Sequence, residues 1–112
     1  MTDEEKTARI RELNDQIRTT GIGNGRVVAV GSLVMADEGL RSKAVTAMRA
    51  FTDFNLGDDP YGQHDFGAFT IEKRRFFFKI DYYDLAEEAG SEHPEDPTQT
   101  VRICSLMFAE DY

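Results

Sequence analysis

Residues Gly67–Asp84 read GAFTIEKRRFFFKIDYYD, and this stretch decides the fold. Phe69 and Ile71 alternate with polar neighbours, the period-two pattern of a strand with one buried face. A charged turn is expected near Glu72 to Arg74. Beyond it, Phe76, Phe78, Ile80 and Tyr82 fall on one face, and Phe77, Lys79, Asp81 and Tyr83 on the other. The stretch therefore reads as a β-hairpin with its aromatic side in the core. Burial of Phe76 and Phe78 alone contributes roughly 3–6 kcal/mol before chain entropy is counted. Aromatic strands can also stack nucleobases, but the acidic flank and the lack of a basic groove favour core packing here.

Three further segments supply partners for the hairpin. Upstream, RVVAVGSLVM starts with a strand from Arg26 to about Ser32, whose continuous apolar run predicts burial on both faces or a central position. Downstream, TVRICSLMFAEDY is open to a strand or a short helix over residues 99–109. Its β-branched start favours a strand, with Val101, Ile103 and Ser105 alternating with Arg102 and Cys104. Two helices precede the hairpin. In the first, Thr2 and Glu5 have capping-box spacing, and Ile10, Leu13 and Ile17 form a narrow apolar stripe. Arg18 suits the last turn and Gly21 the left-handed stop. In the second, Asp37 caps a helix over about Glu38 to Phe51. Leu40, Ala44, Ala47, Met48 and Phe51 share its inner face, and Gly39 weakens its first turn. The expected fold is α+β, one domain over residues 1–112. It has a four-stranded, mainly antiparallel sheet with two helices, in the order α-β-α-β-β-β.

Composition narrows the function classes. Hydrophobic residues make up 40% and charged residues 30% of the 112, a globular balance. The apolar runs are too short to cross a bilayer, and the acidic start lacks the features of a secretory signal. Cys104 is the only cysteine, so no disulfide within the chain is possible; it reads as a core residue. A cytoplasmic setting is expected. The turn GIGNG, residues 21–25, resembles a phosphate loop only superficially, because it joins a helix to a strand and lacks a Lys-Ser/Thr pair.

The net charge of −8 is unevenly placed. Residues 1–79 carry 12 basic and 12 acidic side chains. Residues 80–112 carry nine acids against one base, Arg102. Asp84, Glu87, Glu88, Glu92, Glu95 and Asp96 concentrate the excess in a loop rich in proline and glycine. Such a surface repels phosphates and disfavours direct nucleic-acid binding; it favours a partner protein with a basic surface. The plainer reading is a solvated loop kept soluble by its charge.

A second polar stretch, DDPYGQHDFGAF, runs from Asp58 to Phe69. Asp58, Asp59, Tyr61, His64 and Asp65 are its candidate site residues. A metal reading would use Asp58, Asp59, His64 and Asp65, with Asp81 or His93, but no pair has zinc-site spacing. An acid–base reading pairs His64 with a carboxylate. The structural reading makes Asp58-Asp59-Pro60 a turn, with Tyr61 and Phe66 anchoring the loop. In that reading Gly62 and Gly67 allow tight backbone paths, and His64 bonds locally. The structural reading is favoured, with no catalytic residue, metal or cofactor expected.

IRELND (10–15), RVVAVG (26–31), MRAFTDFNLGDDPYGQHDFGAF (48–69), RRFFFKIDYYD (74–84) and VRICSLMFAEDY (101–112) together resemble the uncharacterised bacterial family domain of unknown function 3768. The resemblance implies a bacterial protein from genomes rich in plasmids and mobile elements. It brings no activity and no catalytic residues. Together with the charge count it leads to the expectation of a non-enzymatic acidic binding module. Such a module would act as a counter-defence inhibitor on the basic nucleic-acid surface of a host nuclease or defence complex. The alternative is a small metal-dependent or acid–base enzyme using the Asp58–Asp65 loop.

Overall fold

A computed structural model describes the whole chain, Met1–Tyr112. Its elements are α1 (Asp3–Thr20), β1 (Gly25–Ala29), a 3-10 turn (Gly31–Met35), α2 (Glu38–Ala50), β2 (Phe66–Ile71), β3 (Arg74–Tyr83), β4 (Val101–Phe108) and a second 3-10 turn (Ala109–Asp111). This is the expected α+β arrangement, and residues 101–108 are strand. The strands lie in the order β1-β4-β3-β2. β2–β3 and β3–β4 are antiparallel, and β1 runs parallel to β4.

Local signals act as their chemistry dictates. Glu72 and Lys73 take positive φ of 52° and 66°, the left-handed turn whose twist matches the two strands it joins. Phe69 faces Phe76 across the hairpin, with rings 5.4 Å apart and stacked. Gly67 faces Phe78, and a Cβ there would lie 2.3 Å from the Phe78 ring, so only glycine fits. Thr2 Oγ1 accepts from the Glu5 N–H and Glu5 Oε1 from the Thr2 N–H, closing the capping box. Gly21 ends α1 at φ 74°, and Asp37 caps α2 through the Leu40 N–H.

Both helices cover one face of the sheet. Ile17 of α1, Leu33, and Ala44 and Met48 of α2 pack with Phe76, Phe78, Ile80, Cys104, Leu106 and Phe108. The aromatic phase of β3 is therefore the expected one. Cys104 is fully buried there, and burial pushes its thiol up to about 12, which keeps it from acting as a nucleophile. The opposite face has no α-helix on it; Tyr112 packs there against Phe66 and Phe77, and Ser105 and Met107 are buried.

One expectation fails. β1 is neither central nor buried on both faces; it is an edge strand with no fully buried residue. Its apolar run does not stay in the strand. Gly31 at φ 63° turns the chain out of the sheet, and Leu33 reaches the core from the following 3-10 turn. A continuous apolar run here records two elements and not one doubly covered strand.

Phe78→Ala is expected to lower unfolding stability by about 3–5 kcal/mol in chemical denaturation, as for other buried aromatic truncations. A loss below about 1 kcal/mol would contradict the core position of this side chain.

Candidate functional site

The inner face of α1 is not purely apolar. Ile10, Leu13, Asn14, Ile17 and Arg18 are all buried, at the i, i+3, i+4, i+7, i+8 spacing of one helical stripe. Asn14 Nδ2 donates to Tyr82 Oη at 2.8 Å and to the Gln63 carbonyl at 3.0 Å. Its Oδ1 accepts from Arg102 Nε at 2.7 Å. Arg102 also donates to the Pro94 carbonyl, and its guanidinium lies 5.1 Å from the Tyr82 ring centre. Arg102 is fully buried and has no ion-pair partner; burial lowers its pKa to about 10, so it stays charged at neutral pH.

Arg18, one turn along, lies in the last turn of α1 as expected. It is buried and donates to the Met48 and Phe51 carbonyls at 2.8 and 3.0 Å, thereby capping the C-terminus of α2. Its other terminal nitrogen meets Asp15 at 3.0 Å. The same Asp15 carboxylate lies 2.9 Å from His64 Nδ1.

His64 is held by three residues, Asp59, Phe54 and Asp15. Its backbone takes φ 57°, rare for a residue other than glycine. Its N–H is bound by the buried carboxylate of Asp59 at 3.2 Å, and its ring stacks on Phe54 at 3.8 Å with 1° between planes. The Asp15 carboxylate faces Nδ1, and no hydrogen-bond partner faces Nε2. This geometry suits a general base. Its partner, however, is Asp15 on α1, not a carboxylate of the loop, and no serine, threonine or cysteine hydroxyl or thiol is hydrogen-bonded to the ring. The expectation of a locally bonded His64 is corrected accordingly.

The remaining loop residues take separate places. Asp59 is buried and ties the Gln63 and His64 N–H groups. Asp58 is exposed and bonds Asn55. Tyr61 is 76% exposed and anchors nothing, contrary to expectation; Arg11 secures that part of the loop through the Gly62 carbonyl. Asp65 is half-buried, and burial first, then Asp59, holds its carboxyl above the usual range. No three His, Cys, Asp or Glu side chains converge to hold a metal ion.

The six acids of the second loop divide into three pairs. Asp84 accepts from the Glu88 N–H and Asp96 from Thr98 and Gln99, so both brace the loop. Glu87 forms a two-pronged pair with Arg26 of β1 at 2.6 and 3.2 Å, and that partner holds its carboxyl below the usual range. Glu95 lies 3.5 Å from His93. Glu88 and Glu92 are exposed and make no side-chain contact of this kind. The helix-free sheet face beside this loop carries a groove of about 620 Å³. Ile103, Ser105 and Met107 of β4 form its floor, and Tyr83 and Tyr112 stand among its walls.

Asn14, Asp15, Arg18 and Arg102 went unremarked as site residues in the sequence. The signal for two of them was present: Asn14 and Arg18 complete the apolar stripe of α1 at helical spacing. Arg102 shares the alternation of Cys104, Leu106 and Phe108. Nothing in the sequence pairs Asp15 with His64.

A two-layer α+β domain with a polar network under its first helix and one sheet face without helices is the class that fold and site define. Within it, the chain belongs to the family described as protein of unknown function (DUF3768), which matches residues 26–111. The match starts after α1, so Asn14, Asp15 and Arg18 lie outside it while His64, Met48 and Arg102 lie inside. No curated protein and no solved structure matches the chain. No helix is long and apolar enough to cross a membrane.

Two outcomes follow from the network. Arg102→Met removes a buried charge but strands Asn14 Oδ1 and the Pro94 carbonyl, for an expected loss of about 2–4 kcal/mol in urea unfolding. Asp65→Asn should act in the opposite sense. A carboxyl with a raised folded pKa binds its proton more tightly in the folded state, so its contribution is lost as pH rises past the unfolded value of about 3.9. The variant should therefore melt higher than wild type at neutral pH, and the difference should vanish near pH 3, where both side chains are neutral.

Proposed function

We propose that this chain is a non-enzymatic binding module whose acidic third engages a partner protein with a basic surface. The observation that supports this most directly is the burial of Arg102. The only cation among residues 80–112 is turned into the core, while none of the nine acids there is buried. The surface of that segment is therefore negative throughout, relieved only by Arg26 and Arg74 from other strands, His93 and Lys79. Asp84 and Asp96 fix the loop's shape, and Arg102 holds it at Pro94, so the charge is displayed on a braced surface. Exposed acids of this kind add little to folding but steer association over a Debye length of about 8 Å at physiological salt.

A nuclease or defence complex offers such a basic surface in its nucleic-acid groove. Occupation of that groove would make the protein a counter-defence inhibitor of a bacterial mobile element, acting in the cytoplasm. The acid–base reading of His64 has the Asp15 contact in its favour but no nucleophile beside it.

Glu88→Gln combined with Glu92→Gln tests the proposal, because neither side chain braces the loop. Wild-type bait should retain a basic protein from bacterial lysate at low salt and release it at high salt. Stopped-flow association with that protein should be roughly 2- to 10-fold slower for the double variant, with the difference shrinking as salt rises. An unchanged rate, with capture lost instead in His64→Ala, would move the site to the Asp58–Asp65 loop.

A further inference from the structure

The sheet has two edges, and they are guarded differently. β1 is short, carries Arg26, and is bridged to the acidic loop by the Arg26–Glu87 pair. β2 has none of the devices that keep an edge strand from pairing. Its sequence, FGAFTI, holds no charge and no proline, and its register runs from Phe66 opposite Lys79 to Ile71 opposite Arg74 without a bulge. The Ile80 N–H donates to the Asp65 carbonyl, so the Asp65 backbone faces β3. By alternation Gly67, Phe69 and Ile71 also turn their backbone groups to β3, and Phe66, Ala68 and Thr70 turn theirs outward. No strand lies beyond β2, and no turn or loop backbone bonds those outward groups.

The charges around β2 are ordered along it. Asp58, Asp59 and Asp65 precede the strand and pair with no cation. Lys73 and Arg75 follow it and pair with no carboxylate, while Glu72 and Arg74 between them are taken by Lys43 and Glu110. An antiparallel copy of the same strand sets acid against base at both ends, with only uncharged side chains in between. We infer that two copies of this chain join edge to edge through β2, extending their sheets into one. Ala68 lies on the two-fold axis, with Phe66 of each copy opposite Thr70 of the other, so the three outward residues exchange N–H and C=O bonds. Lasting interfaces bury roughly 1,200 Å² or more, so side chains must contribute beside the backbone. They are present on both sides of the strand. On the helix side Ser42, Thr46, Ala47, Ala50 and Ile71 line an open groove of about 460 Å³. On the other side Phe66 packs with Phe77 and Tyr112. The acidic loop lies at the far edge beside β1, so the pairing keeps the two most negative surfaces apart. A second copy has the required charge order by symmetry; a foreign strand has it only by coincidence.

Sedimentation equilibrium of the full chain should show twice the chain mass at about 1 mM and dissociation on dilution. Amide exchange then identifies the surface. The N–H groups of Phe66, Ala68 and Thr70 should be protected at high concentration and exchange fast on dilution, while those of Gly67 and Phe69, bonded to β3, stay slow at both. Ala68→Lys sets two like charges directly opposite each other on the axis and should weaken the dimer about tenfold or more. Ala68→Pro removes only an outward N–H, so it should act in the same direction. Melting curves at low concentration confirm that the variants are folded, and Thr70→Lys, at an exposed position, replaces either one that is not. A monomer at about 1 mM would overturn the inference. So would a dimer whose three outward amides stay fast, or one that these variants leave unchanged, since either result assigns the contact to another surface.

Discussion

Arg102 brings a full charge into the interior without a carboxylate to neutralise it. Placing an ion there costs several kcal/mol unless its donors are met. The chain meets two of them, Nε with the Asn14 side chain and Nη2 with the Pro94 carbonyl, and sets the guanidinium against the face of Tyr82. Each partner belongs to a different part of the fold: α1, the acidic loop and β3. One guanidinium thus fixes how the first helix lies on the sheet and where the loop leaves it. Nη1 finds no acceptor among the protein atoms, and Arg18 Nε likewise has none. The network is held by few bonds, which makes each of them costly to lose.

Arg18 performs the matching task on the other side of α1. Its bonds to the last carbonyls of α2 join the two helices end to face, and Asp15 links that junction to His64. The helical layer, the Asp58–Asp65 loop and the sheet are therefore coupled through two consecutive turns of one helix. All of this polar bonding lies on the covered side. It leaves the other sheet face free of helices and lined by the outward residues of β3 and β4.

The two candidate sites differ in what they can do. His64 is held and oriented by Asp15, Asp59 and Phe54, but lacks a nucleophile and a converging set of metal ligands. The groove lacks catalytic groups yet offers an apolar floor with charged margins, the usual make-up of a contact surface. That contrast is why binding, rather than catalysis, is the better-supported reading.

The sequence by itself determined the elements whose signals lie within a few residues. These are the Thr2–Glu5 box, the Gly21 stop, the Asp37 cap, the phase of Phe76, Phe78 and Ile80, and the acidic run after residue 79. The strand β4 was left between two readings because Leu106–Phe108 is apolar without alternation, and its neighbours β1 and β3 resolved it. The edge position of β1 was not legible, since an apolar run does not say where the chain turns out of a sheet. Nor were the site's contacts: Asp15 meets His64 across 49 residues and Asn14 meets Arg102 across 88. Capping, turn and alternation are short-range effects that the local chain must satisfy by itself. Which buried polar group answers which is settled only when packing brings distant segments together, and that is a property of the tertiary structure alone.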